Sequence, residues 1–122
     1  MTQQSTLETA GRVGEHTPTS LRVLTGVSAV LSAAHRSREG AMHGHTWQIT
    51  CWWTGSPDAV EKKRELSKYL SVFDHAVLAD DVAWGETLGT AILYGMDCQR
   101  VDVERPLEGI FARVERTGGD ND

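Results

Sequence analysis

The sequence predicts an α+β domain ordered β-β-α-α-β-β, with one antiparallel sheet and two helices packed on one of its faces. Three observations lead there. Two long segments near the start alternate apolar and polar residues with a period of two, as strands with one buried face do. Two middle segments space their apolar residues three and four apart, which is helical. Two shorter alternating segments close the chain.

Met1 to Ser20 is polar, carries Gly11, Gly14 and Pro18, and reads as a flexible leader. Leu21 to His35 reads as the first strand. Leu21, Val23, Val27, Ala29, Leu31 and Ala33 share one parity, and His35 closes the row. Arg36 to Met42 is a short polar loop. His43 to Thr54 reads as the second strand, with His43, His45, Trp47, Ile49, Cys51 and Trp53 on one face. Thr46, Gln48, Thr50 and Trp52 take the other face. Gly55-Ser56-Pro57 ends the strand, with Ser56 as N-cap and Pro57 in the first helical turn. A helix from Asp58 to Ser71 follows. It gathers Ala59, Leu66, Tyr69 and Leu70 on or near one side and leaves Lys62, Lys63, Arg64 and Lys68 to solvent. Trp84 to Tyr94 reads as the second helix, closed by Gly95 in the left-handed conformation. Gln99–Glu104 and Gly109–Glu115 read as the last strands. The expected domain spans residues 21–116, with a flexible tail at 117–122.

The composition narrows the function. The chain has 122 residues, enough for one domain. No apolar run approaches the roughly 20 residues that span a bilayer. The N-terminus lacks the charged-then-apolar pattern of a secretory signal. A net charge of -5 opposes binding to nucleic acid through phosphates. It also requires a local basic pocket for any anionic substrate. Cys51 and Cys98 read as free thiols of a cytoplasmic protein, since two cysteines make no disulfide scaffold.

The chemistry concentrates in the histidines. His35, His43 and His45 fall within eleven positions. His43 and His45 point to one face of a strand, and His35 ends the strand expected to pair with it. Three nitrogens with an open fourth position describe a catalytic zinc site. Most His-X-His pairs on strands are simply exposed or hydrogen-bonded, and the pattern alone leaves both readings open. Asp74-His75 places a carboxylate beside an imidazole, which suits proton transfer near neutral pH. A helix-end cap with a surface histidine explains the same pair. Glu104 ends a strand whose polar face carries Arg100 and Asp102. It could grip a guanidine-like edge through two parallel hydrogen bonds, or it could be the guarding charge of an edge strand.

Together these segments resemble the family of 6-pyruvoyl- and 6-carboxy-tetrahydropterin synthases. The matching pieces are Ser32-Ala33-Ala34-His35, Met42-His43-Gly44-His45 and Phe73-Asp74-His75-Ala76-Val77-Leu78, with Val101-Asp102-Val103-Glu104 near the end. Glu86-Thr87-Leu88-Gly89 is similar to the family's Glu-Asn-Leu-Ala. The resemblance covers residues 21 to 115. It implies a tunnelling fold, in which subunits join their sheets into a barrel, usually as a hexamer, with active sites between copies. It implies zinc on His35, His43 and His45, a proton relay of Asp74 and His75, and a pterin ring held by Glu104. The implied substrate is 7,8-dihydroneopterin triphosphate, a small molecule. The implied product in the carboxy branch is 6-carboxy-tetrahydropterin, on the route to queuosine and other 7-deazaguanines.

The chain departs from that pattern at one telling place. Four residues before His-Gly-His the family carries its catalytic cysteine, and here Glu39 stands. A buried glutamate near zinc can act as base. Members with glutamate there are associated with side-chain cleavage to 6-hydroxymethyl-dihydropterin, a folate precursor. Glu39 is equally consistent with a non-catalytic relative that binds a pterin or purine. Zinc transfer by the three histidines is a third reading. The loop from His35 to His43 is shorter than usual, and Arg105 stands where threonine is common. Arg36, Arg38 and Arg105 are the candidates to meet the triphosphate.

Overall fold

The computed structural model describes residues 20–36, 42–76, 78 and 85–117, with Arg36 and His43 described by backbone alone. The expected leader and tail, Glu39, Arg38 and Trp84 lie outside the described residues. The elements are β1 (Leu24–Arg36), β2 (Met42–Thr54), α1 (Ala59–Leu70), α2 (Gly85–Met96), β3 (Arg100–Arg105) and β4 (Ile110–Glu115). The strands form one antiparallel sheet in the order β1-β2-β3-β4. Both helices pack on one face, α1 against β1 and α2 against β3 and β4. The architecture predicted from the sequence is therefore the observed one.

Alternation decides which face each side chain takes. Leu31, Trp47, Ile49, Cys51 and Val101 turn toward the helices and are essentially inaccessible to water, as are Leu66, Leu88 and Ile92 from the helices. Each fully buried leucine or isoleucine contributes about 1.5–3 kcal/mol of transfer free energy. Among the described residues no helix covers the opposite face. There Val30 is exposed, and Thr50, Trp52, Asp102 and Glu104 are half-buried.

Several boundaries differ from the sequence reading, each for a local reason. β1 begins at Leu24 because its partner strand ends at Thr54, directly opposite. Gly55, at φ 89, then turns the chain away. Leu21 and Val23 precede the strand and are exposed. The cap of α1 is Asp58, not Ser56. Its carboxylate accepts from the N–H groups of Val60 and Glu61 at 3.0 and 3.2 Å, so Pro57 precedes the cap. Ala59 is exposed rather than on the packed side. Gly95 does not close α2 by a left-handed turn. It is helical, and a Cβ there would collide with the Tyr69 ring. The residue with positive φ is Asp97, at 50°. Glu104 lies on an inner strand, since β3 is flanked by β2 and β4.

Two glycine positions follow from close approach and turn geometry. Gly26 lies opposite Trp52, and a Cβ on it would sit 2.6 Å from the indole. Gly109, at φ 69, closes the turn from β3 to β4. In that turn the Glu108 N–H donates to the Arg105 carbonyl at 3.0 Å, with Pro106 next to it where its fixed φ is favoured.

Candidate metal and proton-transfer site

The apolar stripe of the covered face ends in the histidines. His35 lies directly across from His43, and Ala33 from His45. Residues 33, 35, 43 and 45 share one parity, so all three histidine positions belong to the covered face. His35 is 1% exposed. Its ring centroid is 4.9 Å from that of His45, with the planes tilted by 58°. Trp47, the next residue on this face, stands edge-on to both imidazoles with centroids 6.0 Å away. A buried indole thus fixes two imidazoles from beneath. The side chain of His43 lies outside the described residues, and its backbone sets it opposite His35.

The His35 and His45 rings have the spacing that two zinc-bound imidazoles would need. Two imidazoles on one tetrahedral zinc hold their ring centroids roughly 5 Å apart, given a zinc–nitrogen distance of about 2 Å. The His35–His45 separation matches that spacing. Among the described residues no group of three His, Cys, Asp or Glu side chains stands ready to hold a metal. A three-histidine site would take its third ligand from His43.

Asp74 and His75 reach the same place along the outer edge of β1. The chain leaves α1 through a turn in which His75 takes a positive φ of 60°. Asp74 accepts the Ser32 N–H at 3.0 Å on Oδ1. The His75 N–H donates to the Ser32 carbonyl, and the Ala34 N–H to the Ala76 carbonyl. The Leu78 N–H donates to the Ala34 carbonyl at 2.7 Å. The segment therefore runs beside β1 in the same direction and covers its free edge. Asp74 is not a helix cap: its first oxygen is spent on the strand, and its second lies 3.0 Å from His75 Nδ1. The His75 side chain is 80% exposed.

His45 and His75 line one cleft of about 500 Å³, whose walls also include Ser32, Ala34, Gly44 and Glu108. Glu108 was not foreseen in the sequence. It comes from the β3–β4 turn, which overhangs the end of β2. Its Oε2 lies 3.8 Å from His45 Nδ1, and its Oε1 lies 3.7 Å from Arg105 Nε. Arg105 shares parity with Val101 and Val103, so it joins the covered face.

Glu104 has the opposite parity. It lies on the open face across from Gln48, in a shallow cavity of about 280 Å³ with Asp102, Phe111, Ala112 and Arg113. A single chain therefore does not bring Glu104 to the histidine cleft. Beside it, Asp102 accepts the Trp52 Nε1–H at 3.0 Å and pairs with Arg113 Nε at 2.8 Å. The Arg100 guanidinium stacks 4.9 Å from the Trp52 ring. The Asp102 carboxylate raises the Arg113 guanidinium above its usual range.

Both thiols are buried in the core and stand outside the cleft wall. Each influences the other's protonation. The polar interaction with Cys98, together with burial, pushes the Cys51 thiol up, while the same interaction pulls Cys98 down against burial. Cys51 is thereby a packing residue of the core, not a base for the cleft.

No protein-family model matches the chain, and no curated protein matches it by sequence. By structure, the chain matches the 6-pyruvoyl tetrahydropterin synthase of Caenorhabditis elegans with a TM-score of 0.66 at 17% identity. The match covers 83% of this chain and all of that one. The likeness establishes the fold: four antiparallel strands and two helices in the order of a tunnelling-fold subunit. No described helix is long and apolar enough to cross a membrane.

Proposed function

We propose that this chain is a zinc-dependent pterin enzyme that acts on 7,8-dihydroneopterin triphosphate. One observation carries the reading. The buried His35 imidazole and the part-buried His45 imidazole stand 4.9 Å apart, with a third histidine position in register, and His45 lines a cleft that His75 also lines. The fold shared with a pterin synthase supports the same reading.

His35, His43 and His45 would hold the metal, whose bound form supplies Lewis-acid polarisation of the substrate's side-chain oxygens. Asp74 is fixed by the Ser32 N–H, and its other oxygen lies 3.0 Å from His75 Nδ1, where it would favour a proton on that nitrogen. That leaves the other ring nitrogen of His75 to take or give a proton over the cleft. Glu39, four residues before His43, is the candidate base. Glu104 would hold the pterin ring. Its place on the open face supports a homo-oligomer, a hexamer by resemblance, in which one copy's Glu104 serves a site completed by another. Arg105, 3.7 Å from the cleft residue Glu108, is a candidate cation for the triphosphate.

Two product assignments follow from the same site. A 6-carboxy-tetrahydropterin synthase-like lyase serves queuosine synthesis in the cytoplasm. The glutamate at position 39 favours the side-chain-cleaving variant that gives 6-hydroxymethyl-dihydropterin. The test is incubation of the zinc-loaded protein with 7,8-dihydroneopterin triphosphate, followed by mass spectrometry of the pterin. A 6-carboxy product assigns the first, and a 6-hydroxymethyl product the second. Zinc and pterin binding without turnover assigns a non-catalytic binding role instead.

A further inference from the structure

We infer that Glu108 is a positioning residue for His45: its carboxylate, held by Arg105, fixes which nitrogen of that imidazole faces the cleft metal. The inference rests on the zinc reading above and deepens it. An imidazole can coordinate through either nitrogen, and the hydrogen bond made by the other nitrogen decides which. Metal-bound histidines almost always donate that second N–H to a carboxylate, a carbonyl or water. The His45 ring has a carboxylate close to one of its nitrogens. Its Nδ1 lies 3.8 Å from Glu108 Oε2, and its Nε2 is buried. At 3.8 Å the contact is electrostatic or runs through one water, and either orients the Nδ1–H.

The turn explains why the carboxylate stays there. Pro106 and Gly109 fix the loop, and the Glu108 N–H is tied to the Arg105 carbonyl at 3.0 Å. Arg105 Nε is buried and lies 3.7 Å from the second carboxylate oxygen. Glu108 therefore bridges one cation and one imidazole, with each oxygen assigned. The side chain is 41% exposed, so it contributes little to core packing and can be replaced without opening a cavity.

The test uses metal-stripped protein and zinc alone, with affinity read by competition against a chromophoric chelator. Glu108→Ala should weaken zinc binding about 10–100-fold, the range for losing such an outer carboxylate. Glu108→Gln should recover much of it, because the amide oxygen still accepts the Nδ1–H. Nitrogen NMR of the zinc-loaded wild type should show His45 protonated on Nδ1, with that signal lost in the alanine variant and kept in the glutamine variant. Melting of the metal-free variants should match the wild type. Equal zinc affinity of wild type and Glu108→Ala would overturn the inference and leave the zinc reading intact. So would a loss of affinity that the glutamine variant does not restore. Failure of the wild type to bind zinc would overturn the zinc reading, and this inference with it.

Discussion

The two faces of the sheet are built from the same strands by opposite means. The covered face is a packed apolar stripe that runs from Val101 and Ile49 through Trp47 to the histidines. The open face is held by charge and aromatic contacts: Trp52 on Asp102, Asp102 on Arg113, and Arg100 over Trp52. The strand period assigns each residue to one or the other. Glu104 and Arg105 are neighbours in sequence, yet one lies in the open-face cavity and the other beside Glu108 of the histidine cleft. Buried imidazoles need a rigid, dry wall, and only the covered face provides one. The open face instead leaves Trp52, Asp102 and Glu104 only half-buried.

This contrast predicts unequal costs for disturbing the two faces. The largest should come from Trp47→Ala, which removes the indole beneath both imidazoles. Urea unfolding should show a loss of about 3–5 kcal/mol, as for other buried tryptophans. Next is Gly26→Ala, whose methyl group would drive into the Trp52 indole. It should cost about 1–3 kcal/mol by overpacking. Trp52 fluorescence should shift while the histidine cleft stays intact. Asp102→Ala should cost about 1 kcal/mol through the lost Trp52 hydrogen bond, because the face stays open to water. If Asp102→Ala proved costlier than Trp47→Ala, the division into a structural and a presenting face would be wrong.

The smallest effect is alkaline. The Tyr69 phenol lies above its usual 10.0, first through burial and then through the neighbouring Cys51. A raised folded value means that the unfolded chain gives up its proton first. The stabilisation is complete below about pH 10 and is lost as pH rises further. Tyr69→Phe should flatten that decline in melting temperature, measured across the alkaline range. An unchanged slope would show that Tyr69 is more open to water than its packing under Gly95 implies.

Much of this was legible because period-two alternation is a strong signal when one face is buried. It placed all four strands and both long faces, and it set His35 near His43 and His45. What it missed has physical causes. Ser56 reads as a cap because serine is a favoured cap and Pro57 suits a first helical turn, yet the acceptor that caps the helix is Asp58, two residues on. Gly95 looked like a helix end because glycine often is one, yet its role is to admit the Tyr69 ring. Asp74 carries no pattern that reveals its bond to the Ser32 N–H, a contact between segments 42 residues apart in sequence. Glu108 sits in a turn, where no periodicity points a side chain anywhere. Its nearness to His45 comes from the overhang of the β3–β4 hairpin and had no signal in the sequence.

The central claim is that the covered face, at the end of its apolar stripe, holds a zinc ion. The most direct measurement is the zinc content of purified wild type, His45→Ala and Glu104→Ala by elemental analysis, with melting recorded for each. The account predicts about one zinc per chain in the wild type and in Glu104→Ala, from the ligand set of a catalytic site, and none in a folded His45→Ala. Full zinc in His45→Ala, or its loss in Glu104→Ala alone, would contradict it.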